Sequence, residues 1–249
     1  MRYEVIKTGI APLDSMLGGG ILEDSLFLMV YDMRSFGWTL GVEMFRNFLD
    51  SGWFGVITDY SLPYTLLCRY ASAINFDLEG MGKSGRLAII DVFGSVNGIP
   101  PREPFVHTLG NIDGSTFLPK IVSLYSRLVE GEEKRVGLTV TLDGFTAIFG
   151  EELGIKILQK NIALKDAAAR TQSGARPVNI FLLNRDRVSR RFLSWVSQYS
   201  EHIVEFLPTE VPGVERMLVR KSLLPDFKPG IAEFRFSRGK IRIKPEIWD

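Results

Sequence analysis

The sequence predicts an α/β protein of three layers, a mostly parallel sheet flanked by helices, with an antiparallel hairpin at its C-terminal end. Three observations predict it. Short apolar runs of strand length alternate along the chain with segments whose apolar residues recur at helical spacing, the pattern of repeated strand–helix–strand units. The last forty or so residues change character, with segments in which apolar and polar residues alternate. The chain has 249 residues, 45% of them hydrophobic, enough to bury a sizeable core without disulfide or metal staples.

The elements follow in order. Leu26 to Tyr31 reads as a buried strand. Leu40, Met44, Phe45 and Phe48 then fall on one helical face, and Gly52 ends that helix. Phe54 to Thr58 is the second strand, and Ser61-Leu62-Pro63 opens a helix that runs to about Ile74, with a serine cap and an early proline. Leu87 to Val92 is the third strand. Gly94 to Gly114, rich in Gly, Pro and Asn, reads as a long loop. Ser115 to Val129 is a helix, and Val136 to Leu142 a β-branched strand that ends at Asp143. Ile155, Leu158 and Ile162 mark a helix that fades near Thr171-Gln172-Ser173-Gly174. Val178 to Leu183 is a strand, Phe192 to Tyr199 a short amphipathic helix, and Ile203 to Phe206 another strand. Met217 to Val219, Ile231 to Phe236 and Ile241 to Ile243 complete the chain, with Arg238-Gly239 as the final turn. No repeat or linker interrupts the pattern. One domain is expected, with 1–24 as an entry segment, 25–210 as the core and 211–249 as the hairpin.

Composition narrows the function. The net charge is +1, so no whole-molecule field points to nucleic acid or membrane. The single cysteine, Cys68, excludes an internal disulfide, and His107 and His202 are too few to complete a zinc site with it. Cys68 is expected to be a buried, inert thiol. No apolar run approaches the ~20 residues of a membrane span, and Met1-Arg2-Tyr3-Glu4 has no signal-peptide core. A cytoplasmic protein is expected.

The opening Thr8-Gly9-Ile10-Ala11-Pro12-Leu13-Asp14-Ser15-Met16-Leu17-Gly18-Gly19-Gly20-Ile21 resembles the entry segment of KaiC-like and RecA/RadA-like ATPases, where it precedes the first core strand and the phosphate-binding loop. Val136 to Asp143 is similar to their Walker B strand, and Glu215 to Lys221 with the strands that follow is similar to their C-terminal hairpin. The resemblance implies a RecA-like fold and a nucleotide site between the first core strand and the next helix.

The residues in that slot depart from the family. Its pattern is G-x-x-x-x-G-K-[ST]; here the eight residues are Asp32-Met33-Arg34-Ser35-Phe36-Gly37-Trp38-Thr39. Gly37 and Thr39 fit. Asp32 replaces the first glycine and Trp38 the lysine, and a one-residue shift of the alignment is worse. A lysine–phosphate bond contributes roughly 1.5–3 kcal/mol. A carboxylate at ~4 Å from a phosphate costs about 4 kcal/mol at an effective dielectric near 20. Together these changes weaken binding on the order of a thousandfold or more.

The other site residues are read with their alternatives. Asp59 stands where KaiC-like proteins carry a glutamate pair: it is either a shortened base or, preferably, a cap of the following turn. Asp143 is either a leftover structural carboxylate or, with Thr39, a weak Mg²⁺ candidate. Arg34 is the best residual anion ligand, at a helix N-terminus. Trp38 and Phe36 are expected to fill the volume of a lost nucleotide, the alternative being a contact for a new apolar ligand or partner. Arg220-Lys221 matches the place from which KaiC-like subunits reach a neighbour's nucleotide, and solvated charges are the equal alternative. Arg185, Arg187, Arg190 and Arg191 form the densest basic stretch and the nucleic-acid candidate, against the reading of a solvated helix start.

The leading expectation is a non-catalytic binding or regulatory module without a cofactor, working through a protein partner or self-association. The alternatives are an atypical ATPase using Mg²⁺ with Arg34, Asp59 and Asp143, and a nucleic-acid-binding protein using the four arginines.

Overall fold

The computed structural model of the chain describes residues 4–171 and 177–246. In chain order its elements are β1 (Val5–Ile6), α1 (Ala11–Leu17), β2 (Ile21–Leu22), β3 (Leu26–Tyr31), α2 (Trp38–Asp50), β4 (Phe54–Asp59), α3 (Tyr64–Ala73), α4 (Leu78–Lys83), β5 (Leu87–Asp91), α5 (Val92–Asn97), β6 (Val106–His107), α6 (Phe117–Leu128), β7 (Arg135–Thr139), α7 (Leu142–Phe149), α8 (Glu151–Thr171), β8 (Val178–Asn184), α9 (Arg190–Tyr199), β9 (His202–Pro208), β10 (Val214–Lys221), β11 (Gly230–Ser237) and β12 (Lys240–Pro245).

A ten-stranded sheet runs β12-β11-β10-β9-β3-β8-β7-β4-β5-β6. From β9 to β6 every pairing is parallel; β9 to β12 is an antiparallel meander. The period-2 rule explains why β3 reads as a continuous apolar run. Phe27, Met29 and Tyr31 enter the core on one face with α2 and α3, while Leu26, Leu28 and Val30 enter the core on the other with α9. Helices therefore cover both faces of the parallel part, as the sequence predicts. Among the described residues, no helix is long and apolar enough to cross a membrane.

The entry segment is held by specific bonds. Asp14 is buried, and its Oδ1 accepts from the Thr8 N–H (2.9 Å) and hydroxyl (2.8 Å). Gly18 ends α1 in the left-handed region, at φ +93. A small two-stranded sheet, β1 with β2, closes the segment. His202, given no role from sequence, fastens this segment to the large sheet. Its Nε2 accepts from the Leu22 N–H (3.0 Å), which leaves its proton on Nδ1 toward the Ser222 hydroxyl (3.1 Å). Burial pushes its pKa down to about 4.

Several boundaries differ from expectation. The Gly94–Gly114 stretch is not one loop. Asp91 ends β5 and caps α5 through the Gly94 N–H (2.6 Å), and β6 then adds the edge strand. Ser61 is not a helix cap, because α3 begins at Tyr64, after Pro63. The strand expected to reach Asp143 stops at Thr139. Thr141 takes φ +73, a strained conformation for a β-branched residue, and turns the chain so that Asp143 falls in the first turn of α7. Cys68 is half-buried rather than buried, and burial pushes its thiol pKa up. Helix α8 is continuous to Thr171, and Gln172, Ser173 and Gly174 lie outside the described residues.

Candidate functional site

The C-terminal ends of β3, β4, β7 and β8 gather at one edge of the sheet, where open α/β sheets bind ligands. The loop from Asp32 to Gly37 joins β3 to α2 there. In phosphate-binding loops such backbone N–H groups point at the anion. In this chain they are taken by the protein itself. The Met33 N–H donates to Asp186 Oδ2 (2.9 Å) and the Arg34 N–H to Asp32 Oδ1 (2.8 Å). The Ser35 N–H donates to the Asp32 carbonyl (3.2 Å) and the Phe36 N–H to Glu215 Oε1 (2.7 Å). The Gly37 N–H donates to the Ser35 hydroxyl oxygen (2.8 Å), and that hydroxyl donates to Glu215 Oε2. Three carboxylates thus serve the loop, and Glu215, delivered from β10, is itself buried. Burial raises the pKa of Glu215.

Gly37 is required by close approach. A Cβ there would lie 2.3 Å from the ring of Phe206. Gly37→Ala is expected to cost about 2–3 kcal/mol by overpacking, read as a lower urea midpoint.

The aspartates are engaged separately. Asp59 is buried, and its Oδ1 accepts from the Ser61 N–H (3.1 Å) and the Leu62 N–H (3.0 Å), with the Thr141 hydroxyl at 3.4 Å. That is the geometry of a carboxylate capping a turn. Burial, with a smaller contribution from Asp91, pushes its pKa up to about 7. Asp143 Oδ1 accepts from the Asn184 N–H (3.1 Å), and its Oδ2 pairs with Arg187 Nη1 (3.1 Å). The Thr39 hydroxyl donates to the Phe36 carbonyl (2.6 Å). Among the described residues, no three or more His, Cys, Asp or Glu side chains come together as a metal site.

Trp38 packs edge-on against Tyr70, with ring centroids 5.0 Å apart, at the wall of a cavity of about 160 Å³ below the loop. It lines this space and does not fill it. Phe36 turns the other way and stacks on Phe236 of β11 at 5.3 Å.

The basic stretch is dispersed. Arg185 pairs with Glu205 (2.6 Å) and donates to the Phe206 carbonyl (2.8 Å), Arg187 holds Asp143, and Arg191 pairs with Glu152. Arg190 is exposed at the start of α9, and Arg34 is exposed on the loop. Arg220 shares Glu205 with Arg185 (2.6 Å), and Lys221 Nζ donates to the Ser197 carbonyl (3.4 Å).

Sequence reasoning found the loop and missed its ligands. Glu215 follows the loop by some 180 residues, and Val214-Glu215-Arg216 carries no local signal that marks it as the loop's acceptor.

A loop between the first core strand and its helix, parallel strands on both sides of that strand, and an antiparallel C-terminal meander define a RecA-like α/β fold. Two solved structures share it nearly end to end. An uncharacterised protein from Pyrococcus horikoshii, crystallised in complex with an unknown peptide, superposes with a TM-score of 0.80 and 23% identity over 97% of this chain and 99% of that one. A KaiC-like protein from Pyrococcus horikoshii OT3 superposes with a TM-score of 0.72 and 16% identity over 98% of this chain and 100% of that one. No protein-family model and no curated protein matches the chain.

Proposed function

We propose that this chain is a non-catalytic KaiC/RecA-like protein that acts as a binding or regulatory module, its ATP hydrolysis lost with a degenerate Walker A loop. The observation that carries this reading is the loop ligated from within: the N–H groups that a triphosphate needs donate instead to Asp186, Asp32, Glu215 and Ser35. The residues present do not fit ATP with Mg²⁺. Trp38 brings no charge to the lysine position, Glu215 and Asp32 set negative charge against a polyanion, and the Thr39 hydroxyl and both Asp143 oxygens are committed to protein partners. The related fold crystallised with an unknown peptide supports a protein segment as the kind of partner bound.

The test is thermal unfolding with and without millimolar Mg-ATP. A ligand at ~100 times its dissociation constant stabilises by about 2.7 kcal/mol, a rise of several degrees at this size. No shift is expected. None is expected for Trp38→Lys either, because the lysine charge returns while the loop amides stay occupied. A clear rise in the native protein overturns the reading and makes a hydrolysis assay the next step.

A further inference from the structure

Trp38 walls one side of the cavity below the loop. We infer that this cavity is a receptor for one apolar side chain, aromatic or branched aliphatic, carried by a protein segment lying across the loop; this rests on the binding-module reading above. Its volume is about 160 Å³, comparable to the ~150 Å³ apolar cavity that takes up a benzene ring. It falls below the roughly 300–1,000 Å³ of sites for whole small-molecule ligands.

The walls are apolar and come from rigid elements. Val42 stands on α2, Leu67 and Ala71 on α3, Leu138 on β7, Leu182 on β8, and Val140 just past the tip of β7. All six are buried members of one core cluster, so the receptor is preformed.

The rim is different in kind. Asp32 and the exposed Arg187 line the space, whereas the other polar lining residues, Ser35, Thr141 and Asn184, are engaged within the chain. Asp32 offers a carboxylate oxygen and Arg187 further guanidinium N–H groups, an acceptor and a donor for the N–H and C=O groups of a peptide backbone. Burying one phenyl or leucyl group contributes roughly a ten- to hundredfold gain in affinity. The hole alone therefore selects a residue, and the contacts that hold the segment lie at the rim.

The experiment is calorimetric titration of the full chain with N-acetyl-phenylalaninamide, N-acetyl-leucinamide and N-acetyl-alaninamide. The first two are expected to bind at least tenfold more tightly than the third. Ala71→Leu, which fills the hole from within, is expected to abolish that preference while melting at or above the native temperature. Val140→Phe is a second filling variant, should the first not fold. Equal binding of the three amides, no binding of any, or an unchanged preference in a folded filled variant would overturn the inference. Toluene binding as tightly as the phenylalanine amide would also overturn it, since the rim would then contribute nothing. Each of these results is independent of Mg-ATP, which reports on the loop and on the non-catalytic reading alone.

Discussion

Replacing Asp59 by Asn stabilises the protein above neutral pH and leaves it close to the native protein near pH 4. Asp59 is buried at the tip of β4, and its pKa rises from 3.8 to about 7 because burial penalises the charged form. A carboxyl whose folded pKa is raised contributes stability that is complete below its unfolded pKa. That contribution is lost progressively as pH climbs from about 4 and is gone above about pH 7. A shift of this size corresponds to a penalty on the order of 4 kcal/mol at pH 8. Asparagine keeps an oxygen for the Ser61 and Leu62 N–H groups and carries no charge. Melting temperatures measured from pH 4 to pH 9 should therefore diverge, the variant exceeding the native protein by a gap that opens up to pH 7 and then levels. A gap that is constant across the range would show that Asp59 ionises freely in the fold. Asp91, its neighbour in the parallel register, is also pushed up by burial and adds to the same decline in both proteins.

The second large effect concerns the loop. Glu215→Ala removes the acceptor of the Phe36 N–H and of the Ser35 hydroxyl in a buried setting. Hydrogen bonds to a charged group contribute about 1.5–3 kcal/mol each, and a donor left without its acceptor adds to the loss. A fall of about 3 kcal/mol in unfolding free energy is expected from urea denaturation, and about half of that for Glu215→Gln, which keeps one acceptor. The variant also acquires a response the native protein lacks: millimolar sulfate should raise its melting temperature by supplying an anion to the vacated N–H. Equal stability of Glu215→Ala and the native chain would mean that the loop draws nothing from β10.

The parts of the fold legible in the sequence are those set by local pattern. The β3–α2–β4 succession was legible because β3 is apolar on both faces and α2 presents one continuous stripe, Leu40, Met44, Phe45 and Phe48. The stretch after β5 was not, because α5 has six residues, β6 has two, and the same Gly and Asn residues that signal a loop here terminate a short helix. The misplacement of Asp143 has one cause: nothing in Val140-Thr141-Leu142 announces that a threonine will adopt a left-handed turn. Of the site, the loop residues were legible because they are contiguous. Their partners were not. Asp186 lies inside the basic stretch, yet it accepts from the Met33 N–H, and Glu215, which sequence places only in the hairpin resemblance, accepts from the Phe36 N–H. Contacts across 150 to 180 residues are decided by sheet order, which one sequence does not display.

The source of the loop's ligand has a temporal consequence. Glu215 arrives with β10, so its local concentration is fixed by chain connectivity and not by anything dissolved around the protein. A loop served by a diffusing anion alternates between occupied and empty states at a rate set by supply. Here folding itself supplies the acceptor, and the mouth of the cavity is lined by a loop whose ligand is part of the same chain.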